Sequence, residues 1–127
     1  MMQSRQARGR RSQARGLVAE SLAVSALERD GWHILARRLR NAGGEIDILA
    51  QKAGLLSIVE VKARRDLAGA AGAITLRQKQ RLVAAADQVL ADHPDWGPEG
   101  TRFDILVVDA ANRVRRIANA FVGGMLE

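Results

Sequence analysis

The fold is decided by residues 45–62, which read EIDILAQKAGLLSIVEVK and alternate apolar with charged side chains in two runs. Gly54 lies between the runs, and such a pattern predicts two β-strands joined by a tight turn. A two-residue loop at Ala53 and Gly54 places Leu49 opposite Ile58 across the strand pair. The stretch therefore predicts an antiparallel hairpin at the centre of the fold.

The same register gathers charged side chains on one face of the hairpin. Asp47 falls opposite Glu60, and Glu45 falls opposite Lys62; a longer loop would change these neighbours but not the faces. Glu45 is expected to play a structural role, paired with Lys62 or with a nearby arginine. Two opposed carboxylates destabilise a sheet unless a shared proton or a divalent cation neutralises them, and the sequence leaves both solutions open. The ordinary alternative is a solvent-facing strand pair with a salt bridge between Glu60 and Lys62.

The other face of the hairpin is predicted to be apolar. Ile46 and Ile48 are expected to share it with Val59 and Val61, since side chains two apart leave the same face of a strand. A slip by one residue would break this separation of charged and apolar side chains. The register is therefore expected to be strongly specified.

Composition limits the class of protein. The chain has 127 residues, 47% of them hydrophobic, which is typical of one compact domain with a real core. Its apolar runs are far shorter than the roughly 20 residues that span a bilayer. The absence of cysteine excludes disulfides and thiolate metal sites. With no apolar segment after the basic N-terminus, we expect a cytoplasmic protein.

The positive charge is concentrated at the N-terminus. Residues 1–16 contain five arginines and no acidic residue, while the rest of the chain is nearly neutral. Residues 1–15 are therefore predicted to be a flexible basic arm suited to phosphate groups, with a solvated end that binds nothing as the alternative. Residues 16–127 are predicted to form a single domain.

The remaining patterns complete an α/β fold. A helical pattern follows Gly16 and stops at Gly31, and Thr75 with Gln78 has the spacing of a capping box at the start of a second helix. Further strands are predicted from HILARRLR at residues 33–40, RFDILVVD at residues 102–109 and RVRRI at residues 113–117. The prediction is a central mixed sheet of about five strands flanked by two main helices.

Besides the charged residues of the hairpin, Glu20 is a charge where an apolar side chain is expected, because it lies on the apolar face of the first predicted helix. Together with Asp47 and Glu60 it would give three carboxylates converging on one end of the sheet. Lys62 could then position or activate a water, or stabilise an anionic transition state. Trp32 and Trp96 are expected to be core or loop anchors rather than base-stacking platforms.

Six segments of the chain resemble a known family. They are GLVAES (16–21), DGWHILARRLR (30–40), GGEIDILA (43–50), IVEVKAR (58–64), AITLRQKQRL (73–82) and RFDILVV (102–108). The pattern resembles the YraN-type family of uncharacterised bacterial proteins, which is similar to PD-(D/E)xK nucleases, a superfamily that includes restriction endonucleases and archaeal Holliday-junction resolvases. The proline that names the superfamily is absent here, since the central acid lies in GEID.

The resemblance implies a restriction-endonuclease-like fold and a site. Asp47 and Glu60 would be metal ligands, Glu20 an additional carboxylate and Lys62 the catalytic lysine, with Mg²⁺ or Mn²⁺ as cofactor. The implied activity is cleavage of DNA phosphodiester bonds, with branched or structured DNA as a candidate substrate and a homodimer as a candidate assembly. The alternative is a non-catalytic module of the same fold that binds nucleic acid or a protein partner.

Basic and polar residues flank the predicted site and are candidates for nucleic-acid contacts. These candidates are Arg38, Arg40, Arg64, Arg65, Gln78 and Lys79, with Arg37 in the same group of strand-end arginines. Contacts to phosphates position a nucleic acid without reading its sequence. The alternative for each arginine is a solvated strand end.

Overall fold

The fold is one mixed β-sheet with two helices. The computed structural model describes the backbone of residues 5–65 and 74–121, and the side chains of residues 16–65 and 74–118. In chain order the elements are α1 (Arg5–Arg29), β1 (His33–Asn41), β2 (Gly44–Lys52), β3 (Leu55–Ala63), α2 (Leu76–Asp92), β4 (Gly100–Val108) and β5 (Val114–Phe121). The strands lie in the order β1-β2-β3-β4-β5, with β3 and β4 parallel and the other neighbours antiparallel. This confirms the predicted fold class.

Helix α1 begins earlier than predicted, at Arg5 rather than next to Gly16. The added segment consists largely of Arg, Gln, Ala and Ser, and the first three favour helix strongly enough to carry it through two glycines. The predicted border between arm and domain therefore falls inside a continuous helix. The role of residues 1–15 as a phosphate-binding arm stays a prediction, because their side chains lie outside the described residues.

Each helix covers one face of the sheet. On the α1 face the buried side chains are Ala23, Leu27, Trp32, Ile48, Ala50, Val59 and Leu106. On the α2 face they are Ile46, Leu49, Leu56, Ile58, Ile74, Leu82, Ala85, Ala86, Val89, Phe103, Ile105 and Val107. Because α2 connects the parallel strands β3 and β4, it must cross over one face, and α1 covers the other.

The hairpin of β2 and β3 has the predicted register next to its turn, as far as Ile48 opposite Val59. The turn residues Ala53 and Gly54 have φ values of 51° and 80°. Positive φ at both central residues is the requirement of a type I′ turn, whose twist matches that of the flanking strands. The two-residue loop and the pairs beside it are thus confirmed.

Beyond Ile48 the predicted register is wrong. The pairing of β2 with β3 ends there and does not reach Asp47 and Glu60. Arg38 has a φ of 48°, and the pairing of β1 with β2 skips Arg38 and Asp47. Ile46 packs on the α2 face and Ile48 on the α1 face, so the two do not share a face as predicted.

Helix α2 begins with the predicted capping box. The Thr75 hydroxyl oxygen accepts the Gln78 N–H at 3.1 Å, and the Gln78 side-chain oxygen accepts the Thr75 N–H at 2.8 Å. These bonds satisfy two backbone donors near the start of the helix.

Within the described part of the chain, no helix is long and apolar enough to cross a membrane.

The turn between β1 and β2 docks directly on the backbone of α2. The Asn41 side chain donates to the Ala85 carbonyl at 3.0 Å and accepts the Gly43 N–H at 2.9 Å. A Cβ at Gly43 would lie 2.4 Å from the Ala84 carbonyl carbon and 2.5 Å from the Ala85 nitrogen. Only glycine therefore allows this approach.

We predict that Gly43→Ala lowers the free energy of unfolding by about 3 kcal/mol, because the new methyl group overlaps backbone that cannot rotate away. Urea denaturation measures the change. The matched control is Gly16→Ala within α1, where an added Cβ meets nothing within 4 Å. This control should be neutral or gain up to about 1 kcal/mol from helix propensity. Equal stability of the Gly43→Ala variant and the wild type would contradict the docking of the turn on α2.

Candidate active site

Asp47 lies at a fork between β2 and β3. One of its carboxylate oxygens accepts the backbone N–H of Val61 at 2.8 Å. In a continued ladder that N–H would bond to a backbone carbonyl, so the Asp47 side chain substitutes for a missing strand contact. The carboxylate is therefore fixed at the point where the strands separate.

Glu60 and Lys62 form an ion pair on β3, with the Lys62 ammonium 3.1 Å from a Glu60 carboxylate oxygen. Both side chains are mostly buried, at 16% and 15% exposure, so this is not the solvent-facing pair of the ordinary alternative. Val61 packs against the α1-face cluster, and strand alternation places Glu60 and Lys62 on the α2 face. Glu20 belongs to α1, so the three predicted carboxylates do not share one face.

A cleft of about 400 Å³ lies between α1 and the end of β3 where the fork opens. It is lined by Gly16, Leu17, Ala19, Glu20, Arg38, Asp47, Val61 and Ala63. Two of the three predicted carboxylates, those of Glu20 and Asp47, therefore line the same cleft. Asp47 connects this cleft with the Glu60 and Lys62 pair on the other face.

Glu20 is buried and its carboxylate is held by two arginines. Arg37 donates its Nε–H to one carboxylate oxygen at 2.9 Å, and Arg38 donates its Nε–H to the other at 3.0 Å. Arg37 also donates to the Ser21 hydroxyl at 3.4 Å. A charge-assisted bond on each oxygen explains how the sheet-facing side of α1 tolerates a buried acid.

The environment of Asp47 favours its protonated form. Burial and then the repulsion of Glu60 raise the pKa of Asp47 from 3.8 to about 7, and the Val61 N–H offsets this only in part. A hydrogen bond with Glu60 and a smaller repulsion from Glu20 act in the same direction. Near neutral pH Asp47 is therefore partly protonated, and a cation bound beside it would take the place of that proton.

The Asp47 and Glu60 pair fits a hard divalent cation such as Mg²⁺ or Mn²⁺. Mg²⁺ is commonly bound by one or two carboxylates, with waters and substrate phosphates as its other ligands. Among the described residues no group of three or more His, Cys, Asp or Glu side chains could hold a metal ion. A role for Glu20 as an additional ligand stays a prediction, since its two oxygens face Arg37 and Arg38.

Two of the arginines predicted to contact nucleic acid differ sharply in placement. Arg38 lines the cleft. Arg40 is 81% exposed and lies 3.5 Å from Glu45, its neighbour across β1 and β2. The predicted pairing of Glu45 with Lys62 is wrong, because the pairing of β2 with β3 ends at Ile48 and Val59. The alternative, an ion pair of Glu45 with a nearby arginine, is confirmed.

The other four candidates lie around the end of β3 and the start of α2. Arg64 and Arg65 are exposed where β3 ends, and Arg64 donates to the Ala63 carbonyl at 2.8 Å. Gln78 is used by the capping box, and Lys79 is half-buried in the first turn of α2. None of the four lines the cleft, and their contact with nucleic acid stays a prediction.

A buried charged cluster just beyond the C-terminal end of α1 was not predicted from the sequence. Arg102 and Arg116 donate to one oxygen of Asp104 at 3.0 and 2.9 Å, and the Ser57 hydroxyl donates to the same oxygen. Both guanidinium groups lie over the Trp32 ring, at 5.0 and 4.7 Å from its centroid. Trp32 is thus a core anchor, as predicted, and the cluster joins α1 to β4 and β5.

The cluster borders a second cleft, of about 770 Å³, which is larger than the cleft at Asp47. Arg102 and Arg116 line it, but Asp104 already engages both cations. The only sequence signal for this cluster is the spacing of Arg102 and Asp104, which puts them on one face of a strand. Arg116 comes from another strand, so no sequence spacing indicates its contact with Asp104. We interpret the cluster as structural, because Asp104 engages both arginines.

We predict that Asp47→Asn removes a pH dependence of stability. Between pH 4 and about 7 the folded protein keeps a proton on Asp47 that the unfolded chain has lost, so wild-type stability falls as the pH rises. The variant should gain stability relative to the wild type, by at most about 1.4 kcal/mol per pH unit. Urea denaturation in EDTA from pH 4 to pH 8 measures the difference.

The control for this series is Asp95→Asn, which replaces an exposed carboxylate by an amide, as Asp47→Asn does at the fork. Its stability should follow that of the wild type at every pH. A constant difference between Asp47→Asn and the wild type across the pH range would contradict the raised pKa of Asp47.

Comparison with known proteins places the chain in a family. The family model described as uncharacterised protein family UPF0102 matches residues 19–108, a range that includes all four predicted catalytic residues. A UPF0102 protein of Granulibacter bethesdensis is 59% identical over 114 residues, covering 90% of this chain and 72% of the relative. A UPF0102 protein of Ruegeria pomeroyi is 40% identical over 123 residues, covering 97% of this chain and 100% of the relative. The chain therefore belongs to the uncharacterised protein family UPF0102, which confirms its YraN-type resemblance.

Proposed function

We propose that this protein is a nuclease-like hydrolase that uses a divalent cation to cleave phosphodiester bonds in DNA. The observation that carries the proposal is the fixed position of Asp47 at the fork, next in space to the mostly buried ion pair of Glu60 and Lys62. Two carboxylates and a lysine in this arrangement are the parts that metal-assisted phosphodiester hydrolysis needs. The nuclease-like resemblance of the sequence points to the same chemistry.

Asp47 and Glu60 would hold the cation, and the Val61 N–H would keep the Asp47 carboxylate in place. A bound Mg²⁺ or Mn²⁺ supplies charge stabilisation at the phosphate and lowers the pKa of an attacking water. The fork matters because it leaves the carboxylate at the end of the sheet rather than within a closed ladder. A phosphate can therefore approach Asp47 from the cleft.

Lys62 supplies a fixed positive charge at the site. The Lys62 side chain is mostly buried and its ammonium lies 3.1 Å from a Glu60 carboxylate oxygen, so its position is set before any substrate arrives. A preorganised cation of this kind stabilises negative charge that develops on phosphate oxygens, and it can also orient a water. We assign Lys62 the role of stabilising the transition state.

A second function is a module that binds nucleic acid without cleaving it. The observation that favours it is the occupation of Glu20 by two arginines, which leaves two carboxylates rather than three for a cation. The surfaces that recognise phosphate would be the same in both cases. The two functions differ only in whether a scissile bond is hydrolysed.

We predict cation-dependent cleavage of DNA that is lost when Asp47, Glu60 or Lys62 is replaced. Cleavage of labelled single-stranded, duplex and four-way-junction DNA is measured in EDTA, Mg²⁺ and Mn²⁺. Asp47→Asn, Glu60→Gln and Lys62→Gln should each lower the rate by at least about 100-fold, since each removes a group that acts on the transition state. The control Glu45→Gln removes an exposed carboxylate from the same strand as Asp47 and should cleave like the wild type.

Two results would decide against the hydrolase. Cleavage that persists in Asp47→Asn would come from another site or another protein. Binding of DNA by the wild type without cleavage in either metal, on any of the three substrates, would establish the binding module instead.

A further inference from the structure

Glu20 and its two arginines, Arg37 and Arg38, form a clamp beside the cleft, and Glu20 and Arg38 line the cleft itself. The Glu20 side chain is 9% exposed, whereas those of Arg37 and Arg38 are 41% and 50% exposed. An anion arriving from solvent therefore meets the arginines before it meets the carboxylate. Because Arg38 lines the cleft together with Asp47, such an anion would lie next to the proposed cation site.

The backbone is distorted to bring both arginines to one carboxylate. Arg37 and Arg38 are consecutive in β1, and consecutive side chains of a regular strand leave opposite faces. The φ of 48° at Arg38 breaks this alternation, which costs roughly 1–2 kcal/mol for a residue that is not glycine. Strain of this size persists where surrounding contacts impose it, and it is frequent at functional sites.

The clamp carries more positive charge than Glu20 requires. One arginine would neutralise one carboxylate, so Glu20, Arg37 and Arg38 together carry a net positive charge of one. A phosphodiester group has one negative charge and accepts hydrogen bonds from the planar fork of a guanidinium. The charge and geometry of a phosphodiester therefore match the net positive charge and the guanidinium donors of the clamp.

We propose that Arg37 and Arg38 bind a phosphodiester of the nucleic acid and thereby release Glu20, whose carboxylate becomes available to the cation held at Asp47. The release of Glu20 to a cation rests on the proposed function, whereas phosphodiester binding by the two arginines does not. Substrate and cation then strengthen each other's binding, and by thermodynamic reciprocity by the same factor. Without nucleic acid, Asp47 and Glu60 alone hold the cation, so its affinity is low.

The sharpest test compares DNA affinity after removal of the Glu20 charge with DNA affinity after removal of an arginine, because the two changes should act in opposite directions. Binding of a fluorescein-labelled DNA duplex is measured by anisotropy in EDTA, where no cleavage occurs. Glu20→Gln frees both arginines and should tighten binding at least about tenfold. Glu45→Gln removes the same charge from another arginine-paired carboxylate and should change binding less than about threefold.

Removal of either arginine of the clamp should weaken DNA binding. Arg37→Gln and Arg38→Gln should each weaken binding about tenfold and lower the slope of log affinity against log salt concentration by about one. Arg115→Gln removes an exposed arginine of β5 and serves as the control with the same charge change. Thermal melting reports on folding, and the Glu20→Gln result decides the matter if an arginine variant fails to fold.

The release of Glu20 is tested by Mn²⁺ binding, followed by electron paramagnetic resonance with and without a phosphorothioate duplex that resists cleavage. The duplex should raise Mn²⁺ affinity at least about fivefold in the wild type and much less in Glu20→Gln. Equal enhancement in both proteins would overturn the release. Equal DNA affinity of Glu20→Gln and Glu45→Gln would overturn the clamp.

The clamp and the hydrolase can fail separately. A wild type that cleaves DNA, with arginine variants that bind DNA as Arg115→Gln does, would overturn the clamp and leave the hydrolase standing. Tighter DNA binding by Glu20→Gln, with no cleavage by the wild type in either metal, would support phosphodiester binding by the arginines and refute the hydrolase.

Discussion

The hydrogen bond from the Val61 N–H to the Asp47 carboxylate is the contact on which the rest of the site depends. A side chain accepts the donor that a neighbouring strand would otherwise bind, so the ladder of β2 and β3 ends at that point. As a result Asp47 is held between Glu60 on one side of the sheet and the cleft with Glu20 on the other. A closed ladder would have buried the same residues without an opening for a substrate.

The charges are tolerated because two polar clusters fix α1, one within the helix at Glu20 and one just beyond its C-terminal end at Trp32. Glu20 binds two arginines of β1, and Trp32 packs under the arginines that hold Asp104. The α2 face, by contrast, is closed by an apolar core and by the turn at Gly43. The unfavourable proximity of Asp47 and Glu60 is thus tolerated by a framework whose apolar core on the α2 face does not involve either carboxylate.

What the sequence predicts well is local. The turn at Ala53 and Gly54, the pairs beside it and the capping box at Thr75 follow from neighbouring residues, and the structure confirms them. The charged pair of Glu60 and Lys62 follows from strand alternation in the same way. The fold class also follows, because the periodicity changes cleanly between helix and strand along the chain.

What the sequence misses depends on contacts between distant segments. The positive φ of Arg38 lies where β1 meets α1, and no local pattern marks it. The packing of Ile46 and Ile48 on opposite faces is likewise visible only in the folded chain. The Asp104 cluster joins β3, β4 and β5 and is visible only in the folded chain. The arginine partners of Glu20 were likewise hidden, although the misplaced charge itself was evident.

The central claim is that a divalent cation binds at the fork, and the most direct measurement is a Mn²⁺ titration of isotope-labelled protein followed by amide NMR. Paramagnetic broadening should appear first at the amides of Asp47, Glu60 and Val61, and Asp47→Asn should abolish it at the same Mn²⁺ concentration. Broadening that begins around the Asp104 cluster, or that persists unchanged in Asp47→Asn, would contradict the account.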